Sequence, residues 1–399
     1  GSTVQVYDAV VIDDVLARFP RVALGHWPTP LEPCHRLREE VGGPLVWLKR
    51  DDCSGLATGG NKTRKLEFLL GAALADGTSG IVTFGALQSN HARQSAAACA
   101  RVGLPCHLVL TTQVDRDGPH YQRSGNRLLD DILGATVHEV TDAEEALERA
   151  GSLLADDGGL TLIEPGGSNP TGTLGYVAAA GELLDQARAA GMDPDRIVVA
   201  ASSGGTAAGL VVGCALAGRA VPVDTAAVYE SAAATETTVA ALIDATAHHV
   251  GVDPASAGGR TVSDRCLGPG YGVPTEASRA AIELLARTEG VLLDPVYTSK
   301  AFALLLDEIE RGGRGGAGGA GSADNVVFVH TGGWPALFAA GVAVCVLPVT
   351  IRNVAVSGDV VLITYQGGQN VYIGTDPARG AGTYTPSAGG AGHPKAERE

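Results

Sequence analysis

The feature that most constrains this chain is a repeated beat of short apolar stretch, small-residue turn and helix, running from about residue 45 to about residue 330. Leu45-Val46-Trp47-Leu48-Lys49 reads as a strand by apolar content and length, and a helix is expected from about 62 to 76. The strand 80–84 leads to an alanine-rich helix over 95–102, then strand 106–111, helix 121–134, strand 136–140, helix 142–157 and strand 160–163. A second series follows, with helix 173–190, strand 196–200, strands at 224–229, 291–293 and 326–330, and helices around 233–248, 275–288 and 298–311. Alternation of this kind means parallel sheets covered on both faces by their crossover helices. Such sheets take ligands at the carboxyl ends of their strands, where helices begin. The chemistry is therefore expected in the strand-to-helix turns.

With 399 residues the chain has length for about two or three domain-sized units. The expected fold class is α/β: two parallel-sheet α/β/α domains and a small β-rich C-terminal appendage. Residues 1–64 and 172–345 form the larger domain in this reading, 65–171 the smaller one, 346–376 a β-rich extension and 377–399 a flexible tail. Strands are expected at 342–349, 353–356, 359–366 and 370–373, with Ser357-Gly358 and Gly367-Gly368-Gln369 as hairpin turns. The Gly/Ala run over 312–323 reads as a mobile connector. A net charge of −15 leaves no basic excess to displace counterions from phosphate, so no nucleic-acid partner is expected. Seven scattered cysteines without a CxxC pair suggest reduced thiols in a cytoplasmic protein, neither a disulfide frame nor a metal site. No run approaches membrane-span length, so no membrane partner is expected either.

Four turns carry candidate chemistry. Gly59-Gly60-Asn61-Lys62 places a lysine at a helix start. If buried there, its pKa falls and the neutral amine attacks an aldehyde, the chemistry of a Schiff-base lysine; read alone, Lys62-Thr63-Arg64-Lys65 equally suits a solvated basic turn. Ser202-Ser203-Gly204-Gly205-Thr206 offers backbone N–H groups, hydroxyls and a following helix, which suit a phosphate. It lacks the lysine of a P-loop and the spacing of a dinucleotide fingerprint, and taken alone it suits a packing turn as well. Ser89-Asn90-His91 supplies a hydroxyl, an amide and helix N-terminal donors fit for a carboxylate, though Ser-Asn is also a common N-cap. His330-Thr331-Gly332-Gly333 presents a hydroxyl that suits a ring nitrogen, or a simple cap and turn.

Together these make the parts list for pyridoxal 5′-phosphate with an amino acid. Lys49-Arg50-Asp51-Asp52, Gly59 to Glu67, Gln88-Ser89-Asn90-His91-Ala92-Arg93-Gln94, Gly268-Pro269-Gly270-Tyr271-Gly272 and Leu293-Asp294-Pro295-Val296-Tyr297 resemble, in order, the D-cysteine desulfhydrase and 1-aminocyclopropane-1-carboxylate deaminase family. The resemblance covers about residues 25 to 340 and implies the tryptophan synthase β-like fold, fold type II. It implies that Lys62 forms the internal aldimine and moves the α-proton. By the same resemblance Asn90 touches the phenolic oxygen, Ser89 and His91 border the substrate carboxylate, and Ser202, Ser203, Gly204, Gly205 and Thr206 hold the phosphate. Tyr271 and Tyr297 face the substrate, Thr331 meets the pyridine nitrogen, and Lys65 matches the family's second, non-linking lysine. A homodimer is expected by analogy.

The family divides on the fate of the carbanion. Thr298, Thr331 and His91 stand where the deaminases have glutamate, leucine and glutamine, and look like the desulfhydrase branch. A hydroxyl at the ring nitrogen makes a shallower electron sink than a carboxylate would, which suits β-elimination. The expected reaction is elimination from a small amino acid, D-cysteine first, to pyruvate, ammonia and hydrogen sulfide. Ring opening of the cyclopropane acid, sulfonate elimination from cysteate, β-substitution and a non-catalytic cofactor-binding scaffold are the alternatives. Trp334 and the extension hint at a specialised substrate.

Overall fold

The computed structural model describes residues 9–112, 119–253, 259–314, 325–338, 364–366 and 369–371. The chain divides into two compact units, Gly1–Ala339 and Ala340–Glu399. In the first, α1 (Ala9–Leu16), β1 (Leu31–Pro33), α2 (His35–Val41), β2 (Leu45–Lys49) and α3 (Lys62–Ala75) lead to β3 (Gly80–Ala86), α4 (Asn90–Val102) and β4 (Cys106–Thr111). Then come α5 (Pro119–Arg123), α6 (Gly125–Ile132), β5 (Thr136–Val140), α7 (Ala143–Asp156), β6 (Leu160–Ile163) and α8 (Pro170–Ala189). The remainder is β7 (Arg196–Ala201), α9 (Gly205–Leu216), β8 (Val223–Ala227), α10 (Ala232–Val250), β9 (Arg260–Ser263), α11 (Glu276–Glu289), α12 (Thr298–Arg314) and β10 (Asn325–Val329).

The strands sort into a four-stranded sheet, β5-β4-β3-β6, and a six-stranded sheet, β1-β2-β10-β7-β8-β9. All pairings are parallel except that of β1 with β2. Successive residues of a strand face opposite sides, and the cores follow that rule. Ile197, Val199, Val327 and Val329 pack under α1, α8, α9 and α10, whereas Val198, Ala200, Val326 and Phe328 pack under α2, α11 and α12. In the smaller sheet Ile81, Leu108 and Leu110 meet α3 and α4, while Val82, Val109 and Val140 meet α7. Each fully buried aliphatic side chain contributes roughly 1.5–3 kcal/mol. Trimming Phe328, with no exposed surface, to alanine is expected to cost about 3–5 kcal/mol.

Three expectations need adjustment. Helix α4 begins at Asn90, not at 95, because the Ser89 hydroxyl accepts the Ala92 N–H at 3.1 Å and caps it. The helix expected over 121–134 is two, broken at Ser124, where the Gln88 side chain donates to the carbonyls of Tyr121 and Ser124. Residues 291–293 form no strand; Val291 and Leu293 instead join the core beside α11 and α12. The short segments α2 and β9 are not among the expected elements: α2 offers only Leu37 and Val41 at helical spacing, and β9 is four residues with Val262 its one aliphatic. In the second unit β11 (Thr364–Gln366) pairs antiparallel with β12 (Gln369–Val371). The expected strands at 342–349 and 353–356, their turn at 357–358, connector residues 315–323 and the tail over 377–399 lie outside the described residues.

Candidate active site

The turns after β2, β3, β7 and β10 converge at the carboxyl ends of the two sheets. A cavity of about 520 Å³ opens there, with Lys62, Ser89, Asn90, His91, Tyr271 and Tyr297 among its walls. A second, smaller recess adjoins it, lined by Lys65, Gly204, Thr206 and Thr331 and sharing Lys62, Asn90, Ser202, Ser203 and Tyr297 with the first. Every residue expected from the sequence to hold the cofactor or face the substrate lines one or both, save Gly205, whose backbone starts α9 immediately behind. Trp334 lines neither; its ring meets Phe338 edge-on at 6.0 Å.

Lys62 is the first residue of α3, set there by two glycines at positive φ, Gly59 (72°) and Gly60 (133°). A side chain at Gly60 would sit 2.6 Å from Gln94 Nε2, so only glycine lets the turn lie against α4. Gln94 in return accepts the Thr63 N–H at 3.0 Å, capping α3 from outside. That frees Asn61, whose Oδ1 accepts from Lys62 Nζ at 3.0 Å and whose Nδ2 donates to Thr206 at 2.9 Å. Burial lowers the Lys62 amine to about 8 against the opposing carboxylate of Asp294, and the Arg93 cation pushes it the same way. Near neutrality a useful fraction of this amine is thus unprotonated.

Lys65, one turn further along the same face, is 1% exposed. Its Nζ donates to Ser168 Oγ at 2.8 Å and to the Gly166 carbonyl at 3.1 Å, and no carboxylate pairs with it among the described residues. Burial, and after it the Lys62 charge, hold its pKa well below the ordinary lysine value. Ser168 bridges onward to Ser203 Oγ at 2.7 Å and to the Gly205 N–H at 3.3 Å. A Cβ at Gly205 would stand 2.9 Å from Lys65 Nζ. A buried amine lacking a counter-ion, facing hydroxyls and the N-terminus of a helix, is a site that an anion would complete by restoring its proton. Lys65 and Ser168 were not assigned to it from sequence, because Ser168 lies 103 residues away from Lys65.

Across the cavity, Ser89 caps α4 and keeps its own hydroxyl proton to give. Asn90 turns its Oδ1 inward, where Asn126 Nδ2 (2.9 Å) and Arg93 Nη1 (3.2 Å) donate to it. His91 donates from Nε2 to Thr83 Oγ1 at 2.8 Å, since the Thr83 proton is already given to the Ile163 carbonyl. Burial and the nearby Lys62 and Lys65 push the imidazole down to about 3, so it is neutral. The Tyr271 and Tyr297 hydroxyls lie 2.5 Å apart. Burial raises Tyr271 to about 12 and Tyr297 well above its usual value, keeping both protonated. The Tyr297 ring centre is 5.8 Å from Lys62 Nζ. Asp294 holds this tyrosine's loop by accepting from the N–H groups of Val296, Tyr297 and Thr298 and from the Thr298 hydroxyl. Thr298 is therefore committed to the loop.

Among the described residues no group of three or more metal-ligating side chains occurs, and no helix is long and apolar enough to cross a membrane. A family profile described as pyridoxal-phosphate dependent enzyme matches residues 22–332. The D-cysteine desulfhydrase of Klebsiella pneumoniae strain 342 is 41% identical over 81% of this chain and 97% of its own length. That of Salmonella typhi is 39% identical over the same shares. A crystal structure of an ACC deaminase homologue, 35% identical, superposes with a TM-score of 0.74 over 84% of this chain and 98% of that one. The serine racemase of maize, 18% identical, shares the fold with a TM-score of 0.59 over 82% of this chain and 93% of its own. The anion recess, the low-pKa lysine beside it and these likenesses agree: the chain belongs to the pyridoxal-phosphate dependent enzymes.

Proposed function

We propose that this protein is a lyase that eliminates the β substituent of a small amino acid, D-cysteine first, giving pyruvate, ammonia and hydrogen sulfide. The observation that carries the reading is the lowered amine of Lys62, standing between an anion recess on one side and a hydroxyl-rich wall on the other. The residues fit the cofactor: Ser202, Ser203, Gly204, Gly205 and Thr206 with Lys65 would hold its phosphate, Lys62 its aldehyde carbon, Asn90 its phenolic oxygen and Thr331 its ring nitrogen. Pyridoxal phosphate, when bound, supplies an aldehyde that condenses with amines and a ring that accepts the electron pair left at the α-carbon.

The chain's own groups do the rest. Ser89 and the first N–H groups of α4 receive the substrate carboxylate, with helix-dipole support of about 0.3–1 kcal/mol. Lys62, as a free amine, would take the α-proton with a pKa suited to the task. The Tyr271–Tyr297 pair stands over the same space with a hydroxyl hydrogen bond to give to a departing thiolate. A thiolate departs, and the released three-carbon enamine takes up water to yield pyruvate and ammonia. Thr331 and the committed Thr298 place no carboxylate at the expected ring-nitrogen position, which favours loss of a leaving group over ring opening. The likeness to D-cysteine desulfhydrases supports the same choice.

The test is incubation of the loaded enzyme with D-cysteine, L-cysteine, cysteate, D-serine and the cyclopropane acid, assaying pyruvate, 2-oxobutyrate and sulfide. Pyruvate with equimolar sulfide from D-cysteine is expected. Failure of every substrate to give pyruvate discards elimination, and 2-oxobutyrate from the cyclopropane acid assigns ring opening. A homodimer in the cytoplasm belongs to the same proposal. Six free thiols among the described residues, four of them buried, agree with a reducing compartment. Light scattering at the monomer mass would remove the dimer.

A further inference from the structure

Behind Asn90, away from the cavity, lies a side chain to which the proposed reaction gives no part. Arg93 is fully buried in α4. Its Nη1 donates to Asn126 Oδ1 at 2.7 Å and to Asn90 Oδ1 at 3.2 Å, and its Nη2 donates to the Gly59 carbonyl at 2.9 Å in the turn before Lys62. A guanidinium has donors only. Both amides must therefore show it their oxygens. Asn126, so turned, gives its own N–H groups to Gln88 O at 2.8 Å and to Asn90 Oδ1 at 2.9 Å. With two donors on its oxygen, Asn90 has one orientation left, its Nδ2 on the cavity side, where it would lie 2.8 Å from a Cβ added at Gly333.

The charge on Arg93 is also uncancelled. The nearby buried carboxyl of Asp130 makes no hydrogen bond among the described residues, nor does Arg93 Nε. Burial raises Asp130 to about 8, against the pull of Arg127 and Arg93, so it is largely neutral at pH 7. Burial lowers Arg93 to about 10, against the opposing pull of Asp130, and still leaves it a cation there.

We infer that Arg93 is a positioning residue of this site: it locks Asn90 as a donor toward the cofactor's phenolic oxygen and sets an uncancelled positive charge behind Lys62. The first half rests on the proposed function; the second does not. A donor-only cation is the one side-chain type that dictates the polarity of both amides at once and lowers the proton affinity of a neighbouring amine.

The test reads Lys62 in cofactor-free full-length protein, by the pH dependence of its acetic anhydride labelling, quantified by mass spectrometry of the peptide carrying it. Arg93→Met is expected to raise the midpoint by about one unit. Arg93→Lys keeps the charge and leaves the midpoint in place. Asn126→Asp, nearly isosteric, sets a carboxylate on Arg93 and an acceptor against Asn90 Oδ1, so it raises the midpoint too and serves if Arg93→Met does not fold. An unmoved midpoint in the variants that fold, or a shift in Arg93→Lys as large as in Arg93→Met, overturns the electrostatic role. In protein loaded with pyridoxal phosphate, Asn126→Asp also raises the pH at which the visible band titrates; an unmoved band overturns the lock on Asn90. If wild-type protein carries no cofactor on Lys62 at all, the proposed function fails, while the labelling arm still decides the charge effect of Arg93.

Discussion

Two clusters of buried charge meet on the first turn of α3, and they are built on opposite plans. On one face Arg64 donates to both Asp51 oxygens at 2.8 Å and to Glu182 at 2.9 and 3.0 Å, with its guanidinium 4.0 Å from the Trp27 ring centre. Lys49 also donates to Glu182, and Tyr176 donates to Asp51 at 2.5 Å. Two cations face two carboxylates, and burial, which would raise Asp51, is overcome by Arg64, so that its pKa settles at about 2. On the other face Lys62, Lys65 and Arg93 stand without an ion-paired carboxylate among the described residues. The first cluster is complete and fixes where α3 begins. The second is complete only with an anion, so the same helix turn serves as foundation on one side and binding site on the other.

The contrast breaks most sharply at Lys62. Lys62→Ala is expected to lower turnover by roughly 10²–10⁴-fold or more, with the fold intact by circular dichroism. On the balanced face the effect is on stability. Asp51→Ala leaves Arg64, only 2% exposed, without its closest carboxylate, and should cost about 3–5 kcal/mol in urea unfolding. A cost below about 1 kcal/mol would show that Glu182 alone balances the cluster.

Lys65→Met sharpens the comparison because its two effects have opposite signs. Removing a buried amine that lacks a counter-ion should leave the cofactor-free protein as stable or more so. The same change should weaken pyridoxal phosphate binding by about 10–100-fold, the worth of one charge-assisted contact. Loss of stability without loss of affinity would put Lys65 among the structural charges. The last effect is in pH. Lys62 is lowered to about 8 in the fold and is near 10.5 when unfolded, so between these values the unfolded chain holds more protons and stability from this group grows as pH rises. Cofactor-free Lys62→Met should therefore be more stable than wild type at about pH 7, by a margin that closes between pH 8 and 10.5.

How much of this is legible in the sequence follows the same divide. The strand-turn-helix beat, the small residues at 202–206 and the Gly-Gly-Asn-Lys start of α3 are local signals, and their positions can be read directly. Helix α4 reads five residues too short because His91, Arg93 and Gln94 look like a solvated polar turn, yet all three are buried. They are buried because they serve neighbours: Gln94 caps α3, His91 holds Thr83 and Arg93 orients two amides. Apart from Asn90, three residues before Arg93, such partners lie eight to 34 residues away, and spacing along the chain does not record them. Lys65 is legible as a lysine beside Lys62; its recess, built with Ser168 and Gly205, becomes visible only once β7 and α3 are brought together.

The two charged faces differ most directly in which amine carries the cofactor. Protein incubated with pyridoxal phosphate, reduced with borohydride, digested and mapped by mass spectrometry should bear the pyridoxyl group on Lys62, and Lys65→Met should bear it there too. The group on Lys65, on another lysine or on none would contradict the division of the two charged faces and the roles drawn from it.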